Sequence, residues 1–314
     1  MSTILTVENL KKYFDVPDGK LHAVDDISFS INEGETFGIV GESGCGKSTL
    51  GRTIIHLYQP TSGKIIFENK DITFATKKEC RDLLRRMQFI FQDPYSSLNP
   101  RMTVIDIIME PLLIDGMKRK DARQRASELM EMVGLSKAFE TSYPHELDGG
   151  RRQRIGIARA LALEPKFIIC DEPVSALDVS IQAQILNLML DLQEKFKLTY
   201  IFITHDLSVV KHISDRVMVM YLGKTVELAG TQELFNNPVH PYTKALLSAV
   251  PSTDIDEQQE REILHGEIAS PINPMPGCRF APRCKYATSK CRTDDPHLVE
   301  LKPGHFVSCH NINS

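Results

Sequence analysis

The feature that most constrains this chain is a glycine-rich run that matches the phosphate-binding pattern G-x-x-x-x-G-K-[ST] without exception. Apolar residues 37–40 before it predict a strand, and residues 48–57 after it predict a helix, which is the context that such a loop requires. Glycines let backbone N–H groups turn inward around a triphosphate, while Lys47 reaches the β- and γ-phosphates and Ser48 ligates Mg²⁺. The run therefore predicts an ATP site formed by Gly41, Ser43, Gly44, Cys45, Gly46, Lys47, Ser48 and Thr49.

Composition mainly excludes other classes of protein. With 314 residues, 42% of them hydrophobic and 25% charged, the chain can bury a large core and fold without disulfides. A net charge of −4 leaves no excess of Lys and Arg to neutralise phosphates, so we expect no nucleic-acid partner. No run approaches the roughly eighteen apolar residues of a membrane span, and the N-terminus does not resemble a secretion signal. We therefore expect a cytoplasmic chain whose seven cysteines stay reduced.

The order of strand-like and helical runs predicts an α/β fold with a parallel sheet. Strand-like runs lie at 27–31, 37–40, 64–67, 167–170 and 199–204, and helical character lies at about 94–162 and 181–196. Beyond about Pro251 the composition becomes polar and then rich in Pro and Cys. We predict a domain over residues 1–250, with a helical subdomain at about 94–162, and a small extension over residues 251–314.

Two further strands end in residues suited to phosphate chemistry. Asp171 and Glu172 follow the apolar run 167–170, where Asp171 would hold Mg²⁺ through water and Glu172 would polarise the attacking water as general base. His205 follows the strand at 200–204 and would face the γ-phosphate from the same edge of a parallel sheet. Two solvated acids at a strand end, or a lone structural histidine, are common alternatives that these residues alone do not exclude.

The motifs appear in an order that resembles the nucleotide-binding subunit of an ABC transporter over about residues 4–250. The matching segments are Gly41–Thr49 (Walker A), Gln92 (Q-loop), Phe167–Glu172 (Walker B with the catalytic Glu), Ser175–Asp178 (D-loop) and His205 (switch histidine). The resemblance implies a RecA-like core with an antiparallel β subdomain and an α-helical subdomain. It also implies that Phe14, or alternatively Tyr13, stacks on adenine, and that Gln92 ligates Mg²⁺ and senses the γ-phosphate.

One segment departs from the family pattern. Where the family usually has Leu-Ser-Gly-Gly-Gln, this chain has Leu147 followed by Asp148, Gly149, Gly150 and Arg151. In the family this signature caps the ATP held by a second ATP-binding subunit, and an ionised Asp148 would oppose the phosphate charge. We therefore expect an asymmetric heterodimer in which the site completed by Asp148 is impaired. Partial neutralisation by Arg151 and the remaining glycine N–H donors leave a tolerated Asp148 as the alternative.

Two segments resemble the ATP-binding subunits of oligopeptide and dipeptide ABC importers. Residues 91–100 read Phe-Gln-Asp-Pro-Tyr-Ser-Ser-Leu-Asn-Pro, and residues 240–243 read His-Pro-Tyr-Thr. The resemblance implies peptide uptake with two transmembrane permease subunits and an extracytoplasmic peptide-binding protein, at the cytoplasmic face of the membrane. Alternatives are a soluble ABC ATPase, which usually has two cassettes or a long coiled coil, and a catalytically weak partner subunit.

Four cysteines near the C-terminus complete the resemblance to these importers. Cys278, Cys284, Cys291 and Cys309 have the spacing C-x5-C-x6-C-x17-C in a weakly apolar segment. Clustered thiols in such a segment predict metal ligands, and by ligand type zinc and an iron–sulfur cluster are both possible. The spacing lacks the C-x₂-C pairs of zinc ribbons, and the resemblance implies a structural 4Fe-4S cluster, with Zn²⁺ or unligated thiols as alternatives.

Overall fold

The structure is a computed structural model that describes residues 2–93, 95–249, 266 and 269–312. The chain divides into two compact units, one formed by Met1–Phe74 with Thr204–Ser314 and the other by Ala75–Ile203. The predicted boundary near Val250 lies outside the described residues, as does Pro94 at the start of the predicted helical subdomain. The described residues 269–312 belong to the first unit.

Strands and helices are numbered along the chain. The strands are β1 Thr3–Val16, β2 Gly19–Asn32, β3 Thr36–Val40, β4 Ser62–Phe67, β5 Lys70–Asp71, β6 Met87–Ile90, β7 Phe167–Asp171, β8 Thr199–Ile203, β9 Arg216–Tyr221, β10 Lys224–Gly230, β11 Val299–Lys302 and β12 His305–Val307. The helices are α1 Lys47–Ile54, α2 Lys77–Arg86, α3 Val104–Ile114, α4 Arg119–Met132, α5 Gly149–Leu161, α6 Val179–Phe196, α7 Leu207–Ile213, α8 Thr231–Asn236, α9 Pro241–Ser248 and α10 Ser289–Thr293. The predicted α/β class is confirmed.

The first unit contains an antiparallel sheet in the order β2-β1-β4-β5. The hairpin of β1 and β2 turns at Gly19, whose φ of 134° suits a residue without a side chain. Asn273 from the C-terminal region closes over this turn, because its side-chain oxygen accepts from the Lys20 amide at 3.0 Å and its amide nitrogen donates to the Asp18 carbonyl at 3.1 Å. Residues far apart in sequence are therefore joined at the hairpin.

A second sheet region of the first unit is built on β9. Strand β3 pairs with β9 in parallel, while β10 pairs with β9, and β12 with β10, in antiparallel register. All five residues of β3 are buried, as expected of a strand covered on both faces. The C-terminal strand β12 thus covers the edge of β10, and β11 adds to β12.

The second unit combines a parallel sheet with packed helices. Strands β6, β7 and β8 pair in parallel, which agrees with the predicted alternation of strand and helix. Helices α3, α4 and α5 pack together within the predicted helical subdomain. Helix α3 begins at the N-cap Thr103, and α2 begins with a capping box of Thr76 and Glu79. The predicted helix at 181–196 is α6, which buries Ile185 and Leu192 of its apolar stripe.

Candidate functional site

The phosphate-binding loop lies in the first unit between β3 and α1, as the sequence predicts. Gly46 immediately precedes α1 with a φ of 105°, and a Cβ there would lie 2.0 Å from the carbonyl oxygen of Ala23. A Cβ at Gly41 would lie 2.2 Å from the carbonyl oxygen of Met220. Both contacts are with backbone atoms, so no side chain fits at either position without moving the chain. The loop is therefore held close against its surroundings.

Lys47 is buried within the loop that precedes it. Its Nζ donates to the carbonyl oxygens of Gly41 at 2.7 Å and Glu42 at 3.0 Å, and its exposed fraction is only 4%. This ammonium group is fixed at the start of a helix whose first N–H groups suit anions. Ser48 follows in the first turn, half-buried. Burial raises the pKa of Cys45, so its thiol stays neutral.

The two aromatic candidates for adenine stacking have different surroundings on β1. The Tyr13 ring stacks on His22 at a centroid distance of 3.9 Å, and its hydroxyl donates to Asp25 at 2.5 Å. Phe14 points to the other face of the strand, where its ring meets Tyr58 edge-on at 5.4 Å. Lys12 Nζ lies 4.6 Å from the centroid of the Phe14 ring, so both aromatic rings have partners in the structure. The adenine contact itself stays a prediction.

His205 belongs to the same unit as the phosphate-binding loop. The amide of Thr204 donates to the carbonyl of Ile39 at 3.1 Å, which places the next residue beside the end of β3. His205 is exposed, and Asp206 caps α7 directly after it by accepting from the amides of Ser208 and Val209. The backbone thus brings His205 to the strand end from which the loop emerges.

The second unit holds the predicted carboxylates and the glutamine. Asp171, the last residue of β7, is fully buried. Glu172 follows with a φ of 47°, and its amide donates to the Ile203 carbonyl at 2.8 Å. Gln92 donates through Nε2 to Glu172 Oε2 at 2.9 Å. The structure therefore brings together Gln92 and Glu172, which lie 80 residues apart in sequence.

The structure gives Asp148, which departs from the family pattern, a local role at the start of a helix. Asp148 is the N-cap of α5 and accepts from the Arg151 amide at 2.8 Å. The Arg151 guanidinium pairs with the same carboxylate at 2.8 Å, although both side chains are about half exposed. Gly150 is buried, and a Cβ there would lie 2.6 Å from Ile181. The Asp148 carboxylate is thus engaged by its own helix and by Arg151, the residue predicted to neutralise it in part.

The four C-terminal cysteines are free thiols in the structure. The Cys278 amide donates to the Cys291 carbonyl at 2.8 Å, which ties two of their backbones together. Burial, together with the nearby thiols of Cys291 and Cys309, raises the pKa of Cys278 to about 11. Burial and the same two thiols also raise the pKa of Cys284. In the part of the chain that the structure describes, however, no three His, Cys, Asp or Glu side chains are placed to hold a metal ion. The predicted metal group is therefore not supported by the donor geometry.

Two residues that contact the phosphate-binding loop, Arg283 and Tyr242, were not predicted as part of the site. Arg283 pairs with Glu42 at 2.8 Å, and the Tyr242 hydroxyl accepts from the Glu42 amide at 2.9 Å. The only sequence signal was the His-Pro-Tyr-Thr segment, which contains Tyr242 but does not indicate what it contacts.

None of the described helices is long and apolar enough to span a bilayer.

Comparisons with known proteins match two segments of the chain. Residues 24–175 match the family model described as ABC transporter, and residues 226–291 match the model described as the C-terminal region of oligopeptide/dipeptide transporters. The oligopeptide transport ATP-binding protein AppF of Bacillus subtilis (strain 168) is 54% identical over 319 residues, covering 98% of this chain and 97% of AppF.

Two further matches support the same picture. The probable peptide ABC transporter ATP-binding protein y4tS of Sinorhizobium fredii is 50% identical over 315 residues, covering 98% of this chain and 89% of that protein. Among solved structures, the ATP-binding cassette MJ0796, determined as a dimer in a post-hydrolysis state bound to ADP and phosphate, is 30% identical with a TM-score of 0.67. That match covers 73% of this chain and 99% of the solved one.

Proposed function

The chain belongs to the ABC transporter ATPases of the oligopeptide and dipeptide import family, and we propose that it binds and hydrolyses ATP to drive peptide uptake through a membrane permease. The observation that carries this proposal is the phosphate-binding loop. Gly41 and Gly46 leave no room for a side chain, and Lys47 is fixed inside the loop by two carbonyl oxygens. An ammonium group and helix N–H groups held in this way suit a triphosphate.

The chemistry proposed for the second unit rests on the contact between Gln92 and Glu172. The Glu172 carboxylate would accept a proton from the attacking water, and Gln92 would fix the orientation of that carboxylate. Mg²⁺ prefers oxygen donors. It would be held by the hydroxyl oxygen of Ser48, the amide oxygen of Gln92 and the carboxylate of Asp171. The ion would neutralise charge on the phosphates. His205 would donate a hydrogen bond to the γ-phosphate.

Replacing Glu172 by Gln tests this assignment. Removal of the general base should lower ATP turnover by about 100-fold or more while ATP binding is retained. Glu131→Gln, an exposed acid on α4, is the matched control and should leave turnover unchanged. If Glu172→Gln hydrolyses ATP at the wild-type rate in the assembled transporter, this chain's own site is idle and it is a catalytically weak partner subunit.

We also propose a pairing with a second ATP-binding subunit of different sequence, in which Asp148 to Arg151 caps the partner's ATP. The Asp148 carboxylate is neutralised in part by Arg151, yet it provides no hydroxyl donor for phosphate. Asp148→Ser keeps a good N-cap and restores a donor, so it should raise the ATPase rate of the assembled transporter. If turnover does not rise, Asp148 does not impair that site.

The membrane partners follow from the import function. We propose two permease subunits, an extracytoplasmic peptide-binding protein and a peripheral position at the cytoplasmic face of the membrane. Reconstitution with two permease subunits and a peptide-binding protein of a peptide importer should give peptide uptake that requires ATP and is lost in Lys47→Ala. Uptake that persists in Lys47→Ala would contradict the proposal.

We propose in addition that the four C-terminal thiols ligate a 4Fe-4S cluster. The support is that Cys278, Cys284 and Cys291 lie within the residues that match the importer C-terminal region, and that a 2.8 Å hydrogen bond joins the backbones of Cys278 and Cys291. When bound, such a cluster would cross-link a segment that has little core of its own. Anaerobic purification should yield visible absorption that Cys291→Ser abolishes. A colourless protein that contains stoichiometric zinc, or no metal, would refute the cluster.

A further inference from the structure

The C-terminal region contacts the phosphate-binding loop at Glu42. Arg283 lies between Cys278 and Cys291, and its Nη1 donates to both carboxylate oxygens of Glu42, at 3.0 Å and 2.8 Å. The Arg283 side chain is only 8% exposed and that of Glu42 is 24% exposed, so water screens this pair poorly. A charge-assisted contact of this kind is stronger than a surface ion pair.

The backbone of the same residue is held by the His-Pro-Tyr-Thr segment. The fully buried Tyr242 accepts from the Glu42 amide at 2.9 Å through its hydroxyl. His240 caps α9 by accepting from the Tyr242 amide at 3.1 Å, and this hydrogen bond fixes the backbone position of Tyr242. Glu42 is therefore held by its side chain and by its amide, from two separate segments.

Aromatic packing connects these two segments. Phe280 precedes Arg283 by three residues, and its ring lies 5.4 Å from Tyr242 and 5.3 Å from Tyr221. Tyr221 also contacts Arg283, whose Nη1 lies 3.4 Å from its hydroxyl. The ring cluster orients the guanidinium toward the loop.

Glu42 places a negative charge inside a loop whose task is to hold a triphosphate. Its own carbonyl oxygen contacts Lys47 Nζ at 3.0 Å, so the residue is part of the wall around that cation. An unpaired carboxylate at this position would repel the phosphates and attract Lys47 away from them. Arg283 removes both effects.

We propose that Arg283 and Tyr242 are positioning residues that keep the phosphate-binding loop receptive to ATP, so that the four-cysteine region governs nucleotide affinity rather than only the stability of the chain's end. This proposal rests on the ATPase function proposed above. It explains why a segment remote in sequence from the nucleotide motifs carries a buried arginine aimed at one of them.

The test is nucleotide titration of the full chain with Mg-ATP and Mg-ADP. Arg283→Gln should weaken ATP binding about tenfold, with a smaller effect on ADP because it carries less charge, and added salt should reduce the defect. Tyr242→Phe should weaken both nucleotides about fivefold, the effect of one lost hydrogen bond. Lys290→Gln, an exposed cation of the same region, is the control and should bind like the wild type.

The double variant Arg283→Gln/Glu42→Gln separates positioning from folding. Removing the carboxylate as well should restore ATP affinity to near the wild-type value, because no unpaired charge remains. If the double variant binds ATP as weakly as Arg283→Gln, or if Arg283→Gln binds normally, the proposal is wrong. If the wild type itself fails to bind ATP, it is the proposed ATPase function that fails.

Discussion

The ion pair of Arg279 with Asp25 offers a direct measurement of how firmly the C-terminal region is attached to the β1–β2 hairpin. The two side chains are 7% and 10% exposed. Arg279 also donates to the Leu222 carbonyl, and Asp25 accepts from the Tyr13 hydroxyl. Replacing Arg279 by Met keeps most of the apolar stem, but the Asp25 carboxylate and the Leu222 carbonyl both lose the guanidinium donor.

Removing one partner of a buried pair costs about 3–5 kcal/mol. We expect the lower end, about 3 kcal/mol, because the Tyr13 hydroxyl remains and Lys224 Nζ lies 4.0 Å from the carboxylate. That loss lowers the folding equilibrium constant about 100-fold. For a unit of about 150–250 residues it should lower the melting temperature by roughly 6–12 °C.

The same pair predicts a pH dependence. Burial raises the pKa of Asp25, but the Tyr13 hydrogen bond and the charge of Arg279 outweigh it and hold the pKa below its usual value. A carboxylate of this kind stabilises the fold above its unfolded pKa of about 3.9, and the contribution is lost as pH falls through the folded pKa. The difference between wild type and Arg279→Met should therefore be full at pH 7 and shrink below about pH 4.

Because the chain has no Trp, unfolding is best followed by far-UV circular dichroism. Arg292→Met, which truncates an exposed arginine of the same region, is the matched control. In an Asp25→Asn background, Arg279→Met should cost much less than in the wild type. A melting temperature within about 2 °C of the wild type, or equal costs in both backgrounds, would refute the reasoning.

Three further predictions concern other sites. Gly46→Ala should weaken ATP binding at least about tenfold, since the new Cβ would lie 2.0 Å from a backbone oxygen. Gly34→Ala, at a φ of 78° with no atom within 4 Å, should lower only the stability. ATP titration and thermal melting of the two variants test this. Burial lowers the pKa of His240 to about 3, so the free energy of unfolding should fall by about 1.4 kcal/mol for each pH unit of acidification from about pH 6.5 to 3. His240→Asn should flatten that slope in urea unfolding, and an unchanged slope would contradict the assignment. Iodoacetamide at pH 8 should modify the half-buried Cys80 and spare the buried Cys170, whose pKa burial raises; mass spectrometry that finds Cys170 labelled first would overturn this.

The phosphate-binding loop could be predicted from the sequence because the residues that form it are adjacent in the chain. A glycine pattern between an apolar strand and a helix specifies a phosphate-binding loop, and the structure places Lys47 within it as expected. The contact of Gln92 with Glu172 follows from strands β6 and β7 being parallel neighbours. Asp148 could also have been read as an N-cap, since an Asp before two glycines and a helical run is a helix-start signal.

The contacts of the C-terminal region could not be predicted in the same way. Arg279 reaches Asp25 across 254 residues and Arg283 reaches Glu42 across 241. No periodicity or spacing encodes pairings of that range, because each depends on where the intervening strands place the chain. The cysteine spacing drew attention to possible metal ligands, whereas the arginines interleaved with it carry the contacts that the structure describes.

The pairing of β12 with β10 also bears on how the protein is made. The second unit is continuous in sequence, so it can fold while the ribosome is still adding residues. The first unit begins with Met1–Phe74 and cannot be completed until Val307 has been synthesised. At about 5–20 residues per second that wait is roughly 10–50 s, during which β1 to β5 lack their C-terminal partners. The unit that carries the phosphate-binding loop should therefore be the one that depends on chaperones.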